Sequence, residues 1–461
     1  MPLPKQEENK NLERSRKLLV VAYYFPPLGG AGVQRTLKFV KYLGSFHWQP
    51  TVFTVRKAYH LSYDPALLAE VPASARLVAT PAFLPGRFFR RLFAEKGRGP
   101  AETGAAPPGN HRLFGLLKGL FYTFFFIPDE FVGWVPFAVW WGVRRHRRER
   151  FQALFTTAPP NSVHLTGLFL KRLTGLPWVA DFRDLWDQYP HSYNPFGFSW
   201  RTRLDARLER LVVRNADHIL VISATMREQL LRKFPGLSPA RVTVLPNGFD
   251  PEDFDGVPAR GTGGPEGRCQ ILHTGTVYPW RKTAPLFAAL RAVLDKNPAF
   301  RKTFRLRFLG AVHRGVVEEI AHHRLEDVVD ILPPQPYHEA LGRLAQADFA
   351  LLIVGDLPQN ANALALKLFD YIGAGCPVLV LGPEGEAQRL VQDAEIGWWA
   401  PSEDPGAIAG LLWRACTSSA EIREQLRKNI VQLQARFDRK QLTRRLAAVL
   451  NRLTGGCSEN G

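Results

Sequence analysis

The sequence predicts an α/β protein built from two doubly wound parallel sheets, and three observations carry that expectation. From Leu18 onward, short apolar runs alternate with amphipathic stretches, the rhythm of parallel strands and the helices that cover them. A stretch rich in Gly, Pro and Asp, Pro246 to Arg268, breaks the rhythm, which then restarts. The chain has 461 residues, more than one hydrophobic core usually serves.

Taken in order, the first half predicts strands at Leu18–Tyr23, Thr51–Val55, Ala153–Thr157, Trp178–Phe182, His218–Ile222 and Val242–Leu245. Helices are expected at Val33–Leu43, Val163–Leu173 and Arg203–Asn215. The second half predicts strands at Gln270–Thr274, Phe304–Leu309, Val328–Ile331, Phe349–Val354 and Pro377–Leu381. Its helices are expected at Ala284–Leu294, Tyr337–Ala345, Ala365–Ile372 and Glu421–Phe437. The domains are therefore residues 1–250, with an insertion near 86–150, then 268–435, then a C-terminal helix and tail at 436–461 that returns to the first domain. In such folds ligands bind at the carboxyl ends of strands, and the cleft between two domains is the default site.

The insertion reads differently from the rest. "GLFYTFFFIP" and "FVGWVPFAVWWGV" are aromatic and apolar, flank Asp129 and Glu130, and lead into "RRHRRERF". Each run is too short to span a bilayer, which takes ~20 residues. Aromatic groups in a membrane interface with arginines on lipid phosphate fit the pattern, as do core helices with a solvated basic face.

Composition narrows the partners. Lys plus Arg is 60 against 42 for Asp plus Glu, a net charge of +18, which points to an anionic partner such as a phosphorylated substrate or an anionic membrane. No nucleic-acid module is recognisable, so nucleic acid is not expected. Cys269, Cys376, Cys416 and Cys457 form no C-x-x-C pair, which excludes zinc ribbons and redox motifs and suggests a reducing compartment. The charged first stretch lacks the apolar segment of a signal peptide. The expected location is cytoplasmic, peripheral at the inner face of the plasma membrane.

Four constellations could carry chemistry. "YYFPPLGGAGVQR" runs from a strand through Gly29, Gly30 and Gly32 into a helix. Open backbone N–H groups and a helix start suit a phosphate, although a tight turn would use the same residues. "ILHTGTVYPWRKT" sets Arg281 and Lys282 after a strand, well placed for a diphosphate. "NANALALKLFDYIGAGCPVLVLGPEGE" places Asn362, then Ala363–Ala365 at a helix start, then Lys367 and Asp370 on the helix. Asp370 could accept hydrogen bonds from a ribose diol. "PWVADFRDLW" clusters Asp181, Arg183 and Asp184 just past a strand end, either to orient a hydroxyl or as a salt-bridge network.

With "VISATMREQL", "VTVLPNGFD" and "KLFDYIGAGCPVL" in the same order, the chain resembles glycosyltransferase family 4, the retaining nucleotide-sugar enzymes. "TTAPPNSVHLTGLFLKRLTGLPWVADFRDLW" is similar to a bacterial subgroup that builds cell-surface polysaccharides. The resemblance implies a GT-B fold, two Rossmann-like domains facing a central cleft, the first for the acceptor and the second for the donor. It implies transfer of a hexose from a UDP- or GDP-sugar to a lipid-linked or polysaccharide acceptor, with no cofactor and no required metal. By position, Gly30 and Gly32 approach the donor phosphates and sugar, Lys282 binds the diphosphate, and Thr276 stands where the family often has arginine, with Arg281 as its substitute. Backbone at Ala363, Leu364 and Ala365 faces phosphate. Asp370 takes the place of the ribose-binding glutamate and Asn362 that of the glutamate near the sugar. No histidine stands near Ala158–Pro159, so Asp181 or Arg183 takes over the sugar contact. The departures at Thr276 and Asn362 leave a catalytically weak or inactive scaffold at the membrane as the alternative.

Overall fold

The structure, a computed structural model, describes residues 15–56, 63–84, 119–121, 123–186, 196–258, 268–279, 281–355, 361 and 364–455. The chain forms two compact units, Met1–Leu245 with Thr443–Gly461, and Pro246–Leu442.

The first unit is a seven-stranded parallel sheet. Its strands are β1 (Arg16–Val21), β2 (Trp48–Val55), β3 (Arg76–Thr80), β4 (Ala153–Ala158), β5 (Trp178–Phe182), β6 (His218–Val221) and β7 (Val242–Val244), in the order β3-β2-β1-β4-β5-β6-β7. Val20 of β1 pairs with Val52 of β2 and Phe155 of β4. Runs such as "ALFTTA" are buried along their whole length, because helices cover both faces of a parallel sheet and leave no side for polar alternation. The covering helices are α1 (Ala31–Leu43), α2 (Val135–Glu149), α3 (Ser162–Thr174), α4 (Ser199–Asn215) and α5 (Ala224–Lys233). α3 ends at Gly175 in the left-handed region, φ 73°, the usual way to close a helix.

The second unit repeats the plan with six parallel strands: β8 (Cys269–Thr274), β9 (Phe304–Leu309), β10 (Val329–Leu332), β11 (Phe349–Ile353), β12 (Val378–Leu381) and β13 (Gly397–Ala400). Their order is β10-β9-β8-β11-β12-β13. Its helices include α6 (Ala284–Lys296), α7 (Arg314–His322), α8 (Tyr337–Gln346), α9 (Leu366–Gly373), α10 (Glu386–Asp393), α11 (Pro405–Thr417) and α12 (Ala420–Phe437). The final helix, α13 (Arg439–Leu453), is fastened to the first unit. Asn451 accepts hydrogen bonds from Trp48 Nε1 at 3.0 Å and Arg16 at 3.3 Å, and Arg445 donates to the Val244 carbonyl at 2.7 Å.

Two strands, β3 and β13, stand where the sequence predicted none; both lie at sheet edges. The aromatic insertion is partly core: Trp134, Val135 and Ala138 are buried, while Trp140 is exposed. No helix among the described residues is long and apolar enough to cross a membrane.

Candidate functional site

Each sheet reverses its strand order at one place, between β1 and β4 in the first unit and between β8 and β11 in the second. There the connections leave in opposite directions and open a crevice at the strands' carboxyl ends. Most of the residues singled out from sequence fall at these two places.

In the first unit, β1 runs into the glycine turn that starts α1. Gly30 is the N-cap of α1 with φ 91°, a conformation in which a Cβ is strained. Gly32 lies under the Tyr24 ring, with room for a Cβ at 3.5 Å from the ring, so its backbone is not sterically confined to glycine. Arg183 ties the turns together. Its Nε donates to the Ala158 carbonyl at 2.7 Å and its Nη1 to the Gly32 carbonyl at 2.5 Å. It thus links the ends of β1, β4 and β5, and burial lowers its pKa.

Asp181 is fully buried. One oxygen accepts from Arg35 Nη2 at 2.7 Å, the other from Arg35 Nε at 3.0 Å and Thr157 Oγ1 at 2.8 Å. Arg35 also donates to the Leu245 carbonyl at 2.9 Å. Of the two readings of this cluster, a salt-bridge network describes Asp181: it locks α1 to the sheet, walled off from solvent. Asp184 nearby has a raised pKa from burial, opposed by Arg183.

Asp129, which the sequence placed only as a charge inside an apolar stretch, caps α3. It accepts from the Ser162 amide at 2.8 Å and the Phe131 amide at 3.0 Å, and burial lifts its pKa to about 6. The signal was its rarity, a carboxylate among aromatics, which a buried cap explains. His164 is fully buried, bonded through Nδ1 to Thr156 Oγ1 at 2.8 Å, and burial lowers its pKa to about 3. It is a neutral core residue.

In the second unit, β8 delivers His273 and Gly275 beside α9. Gly275 has φ 83°, and a Cβ there would sit 2.9 Å from Lys367 Cε. Only glycine lets the strand end take this turn and let Lys367 lie across it. His273 Nδ1 donates to the Leu351 carbonyl at 2.8 Å, which leaves Nε2 to accept from Lys367 Nζ at 3.3 Å. That tautomer follows from the bonding pattern. Burial and Lys367 hold the pKa of His273 well below its ordinary value.

Lys367 itself is pulled down to about 7 by burial and by Arg281. Burial lowers Arg281 too, and its Nη1 is buried with no hydrogen-bond partner among the described residues. One helical turn on, Asp370 accepts from Tyr337 Oη at 2.8 Å and is pushed up to about 7 by burial, against the pull of Tyr337 and Arg439. Two desolvated cations therefore lie near the switch point, and Asp370, the carboxylate that offsets Lys367, is itself raised. Each charged form is costly there unless a counter-charge arrives.

The remaining candidates divide. Thr276 lies in the loop after β8, and Leu364 and Ala365 lead into α9, with Ala365 as its N-cap. Lys282 goes elsewhere: it is exposed and pairs with Glu403. Asn362 and Ala363 lie outside the described residues. Lys367 takes the central cationic place that the sequence reading gave to Lys282. Its signal was present, since it shares a helix with Asp370 three residues away.

Residues 29–248 match the family described as Glycosyl transferase 4-like domain. Among curated relatives, the chain is 24% identical over 242 residues to the putative colanic acid biosynthesis glycosyltransferase WcaL of Escherichia coli, covering 52% of this chain and 58% of that protein. It is 25% identical over 285 residues to the probable glycosyltransferase WbjE of Pseudomonas aeruginosa, covering 59% and 67%. The chain spans about half the length of the WcaL proteins it matches, 47% and 58%. Among solved structures, it resembles Anabaena Alr3699/HepE in complex with UDP at a TM-score of 0.61 and 13% identity, covering 95% of this chain and 100% of that one. It resembles WaaG, a glycosyltransferase involved in lipopolysaccharide biosynthesis, at a TM-score of 0.56 and 15% identity, covering 94% and 99%.

Proposed function

We propose that the chain, which matches the Glycosyl transferase 4-like domain over residues 29–248 and shares the two-domain GT-B fold of its structural neighbours, transfers a sugar from a nucleoside-diphosphate sugar, with retention, to a glycan acceptor. The acceptor is lipid-linked or a polysaccharide, and the product is a cell-surface glycan made at an anionic membrane face on the cytoplasmic side. The names of the relatives support the glycan class, and the UDP and UDP-glucose complexes of HepE support a nucleotide-sugar donor.

The observation that carries this reading is the pair of desolvated cations, Arg281 and Lys367, at the strand ends of the second sheet. A diphosphate would give both cations a counter-charge, since neither has an ion pair among the described residues. Asp370, one turn along α9, accepts from the ribose diol, and the amides at the start of α9 face phosphate. As the sugar–phosphate bond stretches, negative charge grows on the departing diphosphate, and Arg281 and Lys367 meet it without reorganising. A leaving-group oxygen then takes the acceptor's proton as the acceptor attacks from the same face through an oxocarbenium-like state. Cations of the protein stabilise the leaving group, so no metal ion is required. In the first unit, Arg183 holds the glycine turn at the end of β1 through the Ala158 and Gly32 carbonyls.

A donor screen tests the reading. Purified protein is incubated with UDP- and GDP-sugars and membrane extract as acceptor, and released nucleoside diphosphate is measured. The expected result is turnover with at least one donor that depends on acceptor and falls at least tenfold in Arg281→Ala. Folded protein that turns over no donor of the panel would overturn it.

A further inference from the structure

Away from both strand-end sites, α2 and α3 pack side by side in the first unit and leave a groove of about 500 Å³ along their outer surface. That volume lies within the range of small-molecule sites. Val139 and Val143 on α2 form its floor, spaced at one helical turn, and Phe169 and Leu173 on α3 face them at the same spacing. Trp140 and Leu173 are more than half exposed, 57% and 64%. This is an apolar stripe on the solvent side of two helices whose opposite faces already serve the core.

The charges beside it have one sign. Arg144 and Arg147 line the groove, and Arg144 stacks over the Trp140 ring at 5.7 Å. Neither has an ion-pair partner among the described residues. α2 and α3 together carry one acidic residue, Glu149, and it is buried and bonded to Arg145 at 2.6 Å. An apolar trough with arginines at its rim matches a molecule that is hydrocarbon at one end and anionic at the other.

We propose that the α2–α3 groove is a membrane-docking site that takes an anionic phospholipid of a bilayer leaflet, acyl chain against Trp140, Phe169 and Leu173 and phosphate between Arg144 and Arg147. The site deepens the membrane part of the reading above by giving it a place. It is tested without sugar transfer, so either can fail alone.

The experiment is flotation of the full chain with vesicles of phosphatidylcholine, with and without phosphatidylglycerol, at low and high salt. The wild type floats with the anionic vesicles, does not float with the neutral ones, and is released by salt. Arg144→Glu/Arg147→Glu and Phe169→Asp/Leu173→Asp each lower partitioning by about tenfold or more. Arg144→Gln/Arg147→Gln, neutral and on the surface, is carried alongside as the variant least able to disturb folding, and it too loses binding. Arg314→Glu/Arg343→Glu, exposed in the second unit, makes the same change in net charge and floats as the wild type does. Groove variants that float like the wild type, equal flotation on neutral vesicles, or an equal loss in the second-unit control would each overturn the site. A groove that instead serves a protein partner would give the first of these results.

Discussion

At the scale of single residues, charge and burial decide the roles. Asp181 and Lys367 both sit near strand ends, yet they face opposite situations. Asp181 has its counter-ion in place, held by two hydrogen bonds from Arg35. Breaking a buried pair by removing one partner leaves the other charge unsatisfied, so Asp181→Asn should cost about 3–5 kcal/mol. Chemical denaturation checks this: a stability unchanged within error would mean that Asp181 is not the strut described. Lys367 has no such ion pair among the described residues, and its pKa of about 7 lies below the unfolded value. Between pH 7 and the unfolded pKa the unfolded chain binds the extra proton, so stability rises with pH in that window, and the cost of the buried charge is borne in full below it. A bound diphosphate reverses the preference by favouring the ammonium. Affinity for it should therefore weaken as pH rises above 7, by up to about tenfold per unit.

Elements explain what was legible. The inner strands β4, β5, β11 and β12 are buried along their whole length, so their sequences are mostly apolar, as in "FALLI" and "VLVL", and stand out against amphipathic helices. β3 was not legible because an edge strand needs less covering: of "RLVAT" only Thr80 is buried. β13 opens on Gly397 and spans four residues, "GWWA", which reads as a turn with aromatics. Site residues followed the same logic. The glycine turn, Arg281 and Asp370 were legible because each sits just after a strand or on a helix with a clear pattern. The choice between Lys282 and Lys367 was not, since both are lysines near a strand end and only the fold sends one to the surface. The last helix makes an elemental prediction. Asn451 on α13 serves the buried Trp48 and Arg16 at once, so Asn451→Ala should cost about 1–3 kcal/mol and lower the melting temperature by a few degrees. A melting curve identical to wild type would remove α13 from the account of the first unit's stability.

Across the whole molecule, a net charge of +18 is spread over two kinds of surface with different jobs. Exposed arginines, as on α2, act at a distance and are screened by salt. Arg281 and Lys367, half-buried beside the strand ends of the second sheet, act at short range and are screened less. The proposed function requires the second site to bind a nucleoside diphosphate through Lys367 and Arg281. Titration calorimetry with UDP and GDP, on wild type and Lys367→Met at pH 7 and pH 9, tests it most directly. The expected result is micromolar binding of one nucleotide at pH 7, at least tenfold weaker binding in Lys367→Met, a larger loss there than in Lys282→Ala, and a fall in wild-type affinity at pH 9 that the methionine variant does not show. Wild-type binding of neither nucleotide, or equal binding by Lys367→Met at both pH values, would contradict it.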